Sequence, residues 1–446
     1  MPLPATPAAA PNEQRTYRKV SLRLIPLLFS CYIVAYLDRV NIGFARLQMS
    51  ADLGFSEVVY GTGAGIFFLG YFLFEVPSNI VLSRVGARLW IARIMVMWGL
   101  ISAGMMFVTS ASGLYTLRFL LGVAEAGFFP GIILYLTYWF PRQYRARMVA
   151  WFMTAVPLAG VLGGPVSGWI LSALQSRAGY AGWQWLFLTE GLMPVVLGVW
   201  VFFHLDDSPA KASWLSPAER TLLLDRLREE EPRLSPAPHL GTGACDGLKT
   251  PRVWLLATIY FCMVMGLYGI SFWLPQIIKE SLTEDTIRIG LLSAIPWTMA
   301  AVVMVLYGAH SDRTGERRRH VTLACLTAAG AFTVSALPGM DGWSGFLALT
   351  VATAGIMAAL SCFWTLPMGL LRGSAAATGI AWINSLGNLA GYVSPELVGL
   401  LREYTAHSMA PALALMAVSL LLAGLLTLAA SGSPERCSKK AQKTTS

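Results

Sequence analysis

The sequence predicts an all-α polytopic membrane protein, with twelve transmembrane helices arranged as two pseudo-symmetric halves of six. Three observations carry this. The 446-residue chain is 55% hydrophobic and only 13% charged, with a mean hydropathy of +0.58, whereas soluble domains carry about 25% charged residues. Its apolar residues gather into runs of about 20 or more, the length that crosses a hydrocarbon core. These runs are long and unbroken, unlike the alternating segments of about ten residues that build a β-barrel. Only helices and closed barrels satisfy their backbone groups in lipid.

Twelve runs follow one another, at about 24–45, 57–80, 90–110, 113–137, 148–173, 184–204, 253–277, 287–308, 320–338, 343–368, 375–400 and 409–430. Residues 1–20, rich in Ala and Pro, lack the apolar core of a cleaved signal peptide and read as a disordered arm. Residues 206–250 are polar and rich in Pro, with a helical pattern in "AERTLLLDRLREEEPR", and read as a linker between the six-helix halves 21–205 and 251–430. Residues 431–446 form a polar tail.

The net charge of +9 is a topology signal. The arm, the tail and the loops after the even-numbered runs hold 26 of the 33 Lys and Arg. The opposite face holds five, Arg46, Arg177, Lys279, Arg288 and Arg402. This bias places both termini in the cytoplasm of a cell inner membrane protein. Nucleic-acid binding would need a basic soluble domain, and the sequence has none. The six cysteines are scattered without CxxC spacing, and the four within spans read as small apolar packing residues. Neither HExxH nor GxSxG occurs, and no GxxxxGK[ST] phosphate loop is present. An enzyme and an ATP-driven pump are therefore disfavoured.

The halves echo one another. "SRVGAR" (Ser83–Arg88) follows the second run and "DRTGER" (Asp312–Arg317) the eighth. Both place Arg-x-Gly-x-Arg, here Arg84, Gly86 and Arg88 against Arg313, Gly315 and Arg317, at the end of the second helix of a half. Weak internal symmetry of this kind marks transporters built from repeats. The glycine permits a tight turn, and the arginines can bond helix-end carbonyls.

"GAHSDRTGERR" (Gly308–Arg318) resembles the loop signature of the major facilitator superfamily, which the first copy departs from by placing Ser83 where an acid is usual. "LRFLLGVAEAGFFPG" (Leu117–Gly131) is similar to the fourth span of that superfamily. "YLDRVNIGFA", "GYFLFEVPSNI", "ISFWLPQIIK" and "GIAWINSLGNLAGYVSP" resemble its anion:cation symporters, among them permeases for tartrate, phthalate, hydroxyphenylacetate and sugar acids. The resemblance covers nearly the whole chain and implies the major facilitator fold. It also implies a gating role for the two cytoplasmic loops, Asp312 included.

Four charged residues lie deep in the first half: Asp38, Arg39, Arg118 and Glu125. A charge at the bilayer centre costs about 2.5–3.5 kcal/mol on insertion scales, so such residues face a cavity and pair with each other. Arg118 and Glu125 are seven apart and share one helix face. Two readings stand: an ion-pair cluster that braces the bundle, or a site that exchanges protons against an anion. Two acids beside two bases suit the second, and burial and Arg118 act on Glu125 in opposite senses. The resemblance implies that Asp38 and Glu125 take protons, that Arg118 couples them, and that Arg39 grips a carboxylate as a bidentate fork. It also implies substrate contacts at Tyr36, Tyr71, Ser361, Trp364 and Asn384.

The sequence thus predicts a proton-coupled symporter that takes up a small organic carboxylate by alternating access. Its partners are that anion, protons and the bilayer, and it acts as a monomer with no cofactor, metal or nucleic acid. The alternative is an exchanger or facilitator for an inorganic or phosphorylated anion. Phosphate would call for more buried cations than Arg39 and Arg118. Glu75, Glu190 and Glu396 read as contacts towards span ends, and His204, His310 and His320 as solvated.

Overall fold

The computed structural model describes residues 11–141, 144, 148, 152–230, 250–370 and 374–430. In chain order these form α1 (Pro11–Leu53), α2 (Glu57–Val85), α3 (Ala87–Gly104), α4 (Ala111–Glu125), α5 (Phe128–Trp139), α6 (Ala155–Ala173), α7 (Gly182–His204) and α8 (Pro217–Glu230). They continue with α9 (Pro251–Ser281), α10 (Thr286–Thr314), α11 (Arg317–Ser335), α12 (Gly342–Phe363), α13 (Thr365–Leu370), α14 (Ser374–Tyr404) and α15 (Ala410–Ala429). Among the described residues ten segments are long and apolar enough to cross a bilayer, α4 with α5 and α12 with the start of α13 each counting as one. The other two expected spans are α11 and α14, helices of 19 and 31 residues whose polar content lowers their hydropathy. At 1.5 Å per residue both can cross. Leu73, Phe74, Val196, Phe203, Leu306 and Leu347 are exposed, as lipid-facing side chains must be. The chain is a polytopic membrane protein.

Residues 11–20 correct the expectation of a disordered arm over 1–20, because they are the first turns of α1. Residues 1–10 of that arm lie outside the described residues, as do 231–249 of the linker and the tail 431–446. What orders 11–20 is the linker helix. Ser216 and Glu219 form a reciprocal capping box at the start of α8, with Glu219 N donating to Ser216 Oγ (3.2 Å) and Ser216 N to Glu219 Oε2 (2.9 Å). Lys19 then donates to Glu219 (2.7 Å) and Arg226 to Glu13 (2.8 Å). The Lys19 hydrogen bond, with the Ser216 amide, holds the Glu219 carboxyl below its ordinary range. Tyr17 stacks on Tyr144 at 4.3 Å.

By contact the chain divides into two units: Met1–Phe55 with Ile66–Ala237 and Asp285–Ala294, and Ser56–Gly65 with Pro238–Glu284 and Ile295–Ser446. The starts of α2 and α10 fall in a different unit from the rest of their helices. In the second unit a Cβ on Gly61 would stand 2.4 Å from the Pro395 carbonyl oxygen of α14, and in the first a Cβ on Gly164 would meet the Gly290 oxygen of α10 at 2.4 Å. Only small residues permit helix backbones that close.

The repeated loops share their backbone. Gly86 (φ +97°) and Gly315 (φ +70°) both occupy the left-handed region that ends a helix. Arg84 and Arg313 are exposed. In the second copy Arg317 pairs with Asp312 and donates to Ser311 Oγ (3.2 Å). In the first copy Ser83 leaves no acid in that place, and Asp207 from beyond α7 stands in. Its Oδ1 accepts from Arg88 N at 3.0 Å, at the start of α3, while Arg88 Nε donates to the Phe202 carbonyl (2.6 Å). A carboxylate there satisfies an orphan amide and the helix dipole. Replacing Asp207 with Ala is expected to cost about 1 kcal/mol, read as a lower thermal midpoint of the purified protein. His320 departs from its expected solvated state: it is buried, with its Nε2 2.8 Å from His310 Nδ1.

Candidate functional site

The fourth span is not the continuous helix that 113–137 suggested. α4 ends at Glu125, Ala126 turns extended, and Gly127 takes φ +83° before α5 begins. A Cβ on Gly127 would also stand 2.5 Å from Ser78 Oγ, so the break requires glycine twice over. Pro130, without an amide hydrogen, tolerates the first turn of α5. Glu125 therefore sits at a helix interruption in the middle of a span. In the equivalent span of the second half Trp364, between α12 and α13, keeps helical dihedrals (φ −62°, ψ −16°), so that span has no comparable break. A helix interrupted in mid-span is a place where transporters build their sites.

The first unit brings the four charges together. Arg39, on α1, pairs through Nη2 with Glu125 Oε1. Its guanidinium lies 5.2, 5.8 and 5.4 Å from the rings of Phe67, Phe68 and Tyr71, all on α2. Arg118 is fully buried, 5.1 Å from the Phe67 ring. Asp38 is buried beside them; its Oδ1 accepts from Ser102 Oγ of α3 and from Asn41 Nδ2 (3.0 Å). Arg118 and Glu125 both lie within electrostatic reach of Asp38.

Close helix packing puts these groups where they are. A Cβ on Gly122 would fall 1.9 Å from the Phe67 carbonyl oxygen, so α4 rests directly on the α2 backbone. That contact aims Arg118 and Glu125, on one face of α4, at the α2 rings. The other wall is tied down by Gln48, which donates to the Leu171 carbonyl (3.2 Å) and accepts from Trp183 N (3.1 Å). The Trp183 indole N–H donates to Asp52 (2.8 Å).

Tyr71 is brought to Arg39, and Tyr36 is buried two residues before Asp38. Ser361, Trp364 and Asn384 belong to the second unit. Ser361 is exposed and donates to the Ala358 carbonyl (2.8 Å). Trp364 is half-buried, edge-on to Tyr260 at 4.9 Å. Asn384 is half-buried on α14.

One residue was misjudged by its position in the chain. Glu190 read as a contact towards a span end, yet it is buried in the interior of α7, where Ser167 of α6 donates to its Oε1 (2.8 Å). Asn41 and Asp38 are also within its reach. A lone ionisable residue near the middle of an apolar run is itself a functional signal, and it was available at "LFLTEGLMPV".

The chemistry of the cluster is exchange of partners. A guanidinium binds a carboxylate through two parallel N–H···O bonds, and the ring faces beside Arg39 favour its cation. When Glu125 is ionised it occupies the guanidinium. When Glu125 is protonated the guanidinium can bind another carboxylate.

Residues 28–395 match the model of the Major Facilitator Superfamily. A protein of Agrobacterium vitis provisionally named a tartrate transporter is 48% identical over 416 residues, which cover 93% of this chain and 91% of that one. A Pseudomonas putida protein provisionally named the metabolite transport protein NicT is 45% identical over 413 residues, covering 93% and 94%. The crystal structure of a D-xylose–proton symporter superposes with a TM-score of 0.71 at 15% identity, covering 92% of this chain and 97% of that one; this is a likeness of fold. A twelve-helix fold, a family match over most of the chain and relatives of nearly equal length agree: the chain belongs to the Major Facilitator Superfamily of membrane transporters.

Proposed function

We propose that this transporter carries a small organic carboxylate into the cell together with protons, by alternating access. The observation that carries the reading is the part-buried Arg39–Glu125 pair beside three aromatic rings at the α4 break. Protonation of Glu125 releases Arg39 to the incoming carboxylate, so substrate and proton load together. Deprotonation on the other side restores the pair and expels the substrate. Asp38, hydrogen-bonded and without an ion pair among the described residues, is the second proton group, and Arg118 couples the two acids electrostatically. Tyr36 and Tyr71 are proposed as substrate contacts, and Ser361, Trp364 and Asn384, which belong to the second unit, are proposed as further substrate contacts. The Arg-x-Gly-x-Arg loops act as gates. The names of the Agrobacterium and Pseudomonas relatives support an organic substrate.

Two carboxyls allow two protons. A monoanion then also draws on the membrane voltage, and a dianion such as tartrate moves without net charge. Voltage is worth about 2.3 kcal/mol per charge per 100 mV. The sided distribution of basic residues supports termini on the cytoplasmic side of a bacterial inner membrane.

The test is ligand-dependent thermal stabilisation of the purified protein and of Arg39→Ala. The ligands are tartrate, galactonate, phthalate, hydroxyphenylacetate, nitrate and phosphate. A ligand at a hundred times its Kd stabilises the folded state by about 2.7 kcal/mol. One carboxylate is expected to raise the midpoint of the wild type and leave the variant unmoved. Stabilisation that persists in the variant, or comes only from nitrate or phosphate, would overturn the reading.

A further inference from the structure

Glu190 takes no part in the scheme above. It is 1% exposed, and among the described residues it has one hydrogen bond, from Ser167 Oγ at 2.8 Å to Oε1. Its other oxygen, Oε2, is buried without a hydrogen-bond partner.

Among the described residues no cation pairs with it from any neighbouring helix. α6 carries no charged residue. On α3 only Arg88 and Arg93 are charged, and Arg88 is bonded at Phe202, a point about 18 Å along α7 from Glu190 at 1.5 Å per residue. On α1 the group facing Glu190 is another acid, Asp38, with Asn41 beside it. The remaining charges of α1 at this depth are engaged elsewhere: Arg39 pairs with Glu125, Arg46 has contacts of its own, and Asp52 accepts from Trp183. An ionised Glu190 would be a buried charge without a counter-ion, next to a second carboxylate. Proteins avoid that state by keeping the proton.

We propose that Glu190 is a proton-binding site, occupied when the chain is in the arrangement described here and coupled by proximity to Asp38. The cluster then holds three carboxyls against two guanidiniums, Arg39 and Arg118. Protonation of Glu190 removes the uncompensated buried charge. Oε1 accepts from Ser167, and the proton rests on Oε2, the atom that has no donor facing it. Asp38 lies within electrostatic reach of Glu190, so the charge of one carboxyl affects proton loss from the other. The use of this proton in transport rests on the proton-coupled reading of Asp38; its presence does not.

The experiment is infrared difference spectroscopy of the purified protein across a pH titration, without substrate. A protonated buried carboxyl gives a carbonyl-stretch band distinct from the carboxylate bands. The wild type is expected to show such a band at neutral pH, lost in Glu190→Gln and kept in Asp38→Asn. In Ser167→Ala, which removes the hydrogen bond and leaves the carboxyl, the band is expected to move to higher wavenumber. A spectrum unchanged in Glu190→Gln, or a band indifferent to Ser167→Ala, overturns the proposal. Because Ser167→Ala retains Glu190, the test stands even if Glu190→Gln does not fold. Failure of every carboxylate to stabilise the protein would count against symport and leave this result untouched.

Discussion

Replacing Asp38 with Asn is expected to abolish uphill uptake driven by a pH gradient while leaving the protein folded. The substitution keeps the shape and the acceptor: an Asn Oδ1 can take the hydrogen bonds that Ser102 and Asn41 give Asp38. It removes only the titration. Each proton coupled to one substrate supports about a tenfold concentration ratio per pH unit, because one unit is worth about 1.4 kcal/mol. With a proton site gone, the accumulation that it drives is lost. The measurement uses proteoliposomes with an imposed pH gradient and the carboxylate identified by thermal stabilisation, with wild type and variant at equal protein content. Uphill uptake surviving in Asp38→Asn would make Asp38 a structural acceptor that holds α1 to α3. Glu125 differs, because its carboxylate is also the resting partner of Arg39.

Gly122→Val is expected to destroy the site by a different route. A Cβ at position 122 would stand 1.9 Å from the Phe67 oxygen and 2.9 Å from both Phe67 C and Tyr71 N. All three are backbone atoms, so no rotamer change relieves the clash and α4 must leave α2. Ordinary overpacking of a core costs about 1–3 kcal/mol, and an overlap with backbone exceeds that range. Moving α4 also carries Arg118 and Glu125 away from Arg39 and from the Phe67 and Tyr71 rings. The variant should yield little folded protein in detergent, and whatever folds should show no carboxylate-dependent stabilisation. Wild-type stability together with ligand binding would mean that α2 and α4 do not pack as described.

Much of this molecule was legible in its sequence. The twelve apolar runs all reappear as helices, because the length and hydropathy that a bilayer demands are local properties of the chain. The glycine of the loop repeat was legible for the same reason: Gly86 and Gly315 each bend only their own backbone. The buried charges could be named because a charge inside an apolar run is conspicuous. Their partners were not legible. Arg118 and Glu125 share a helix face, which made them natural associates, yet the ion pair of Glu125 is with Arg39 on another helix. Asp207 takes the place of the missing loop acid from more than a hundred positions away. Glu190 looked peripheral when measured along the chain and is interior when measured through space. The arm over residues 11–20 read as unstructured because its order comes from α8, which lies far along the chain.

The sequence by itself determined the class, the number of crossings, the repeat, the sided distribution of basic residues and the identity of the buried acids and bases. These follow from composition and from short-range spacing, which bilayer thickness and helix geometry convert directly into structure. Only the tertiary structure decided which acid meets which guanidinium, that the fourth span breaks after Glu125, and that Glu190 is buried within electrostatic reach of Asp38 with no ion pair among the described residues. Those depend on how closely separate helices approach, and glycines such as Gly122 set that distance only once the neighbouring backbone is in place.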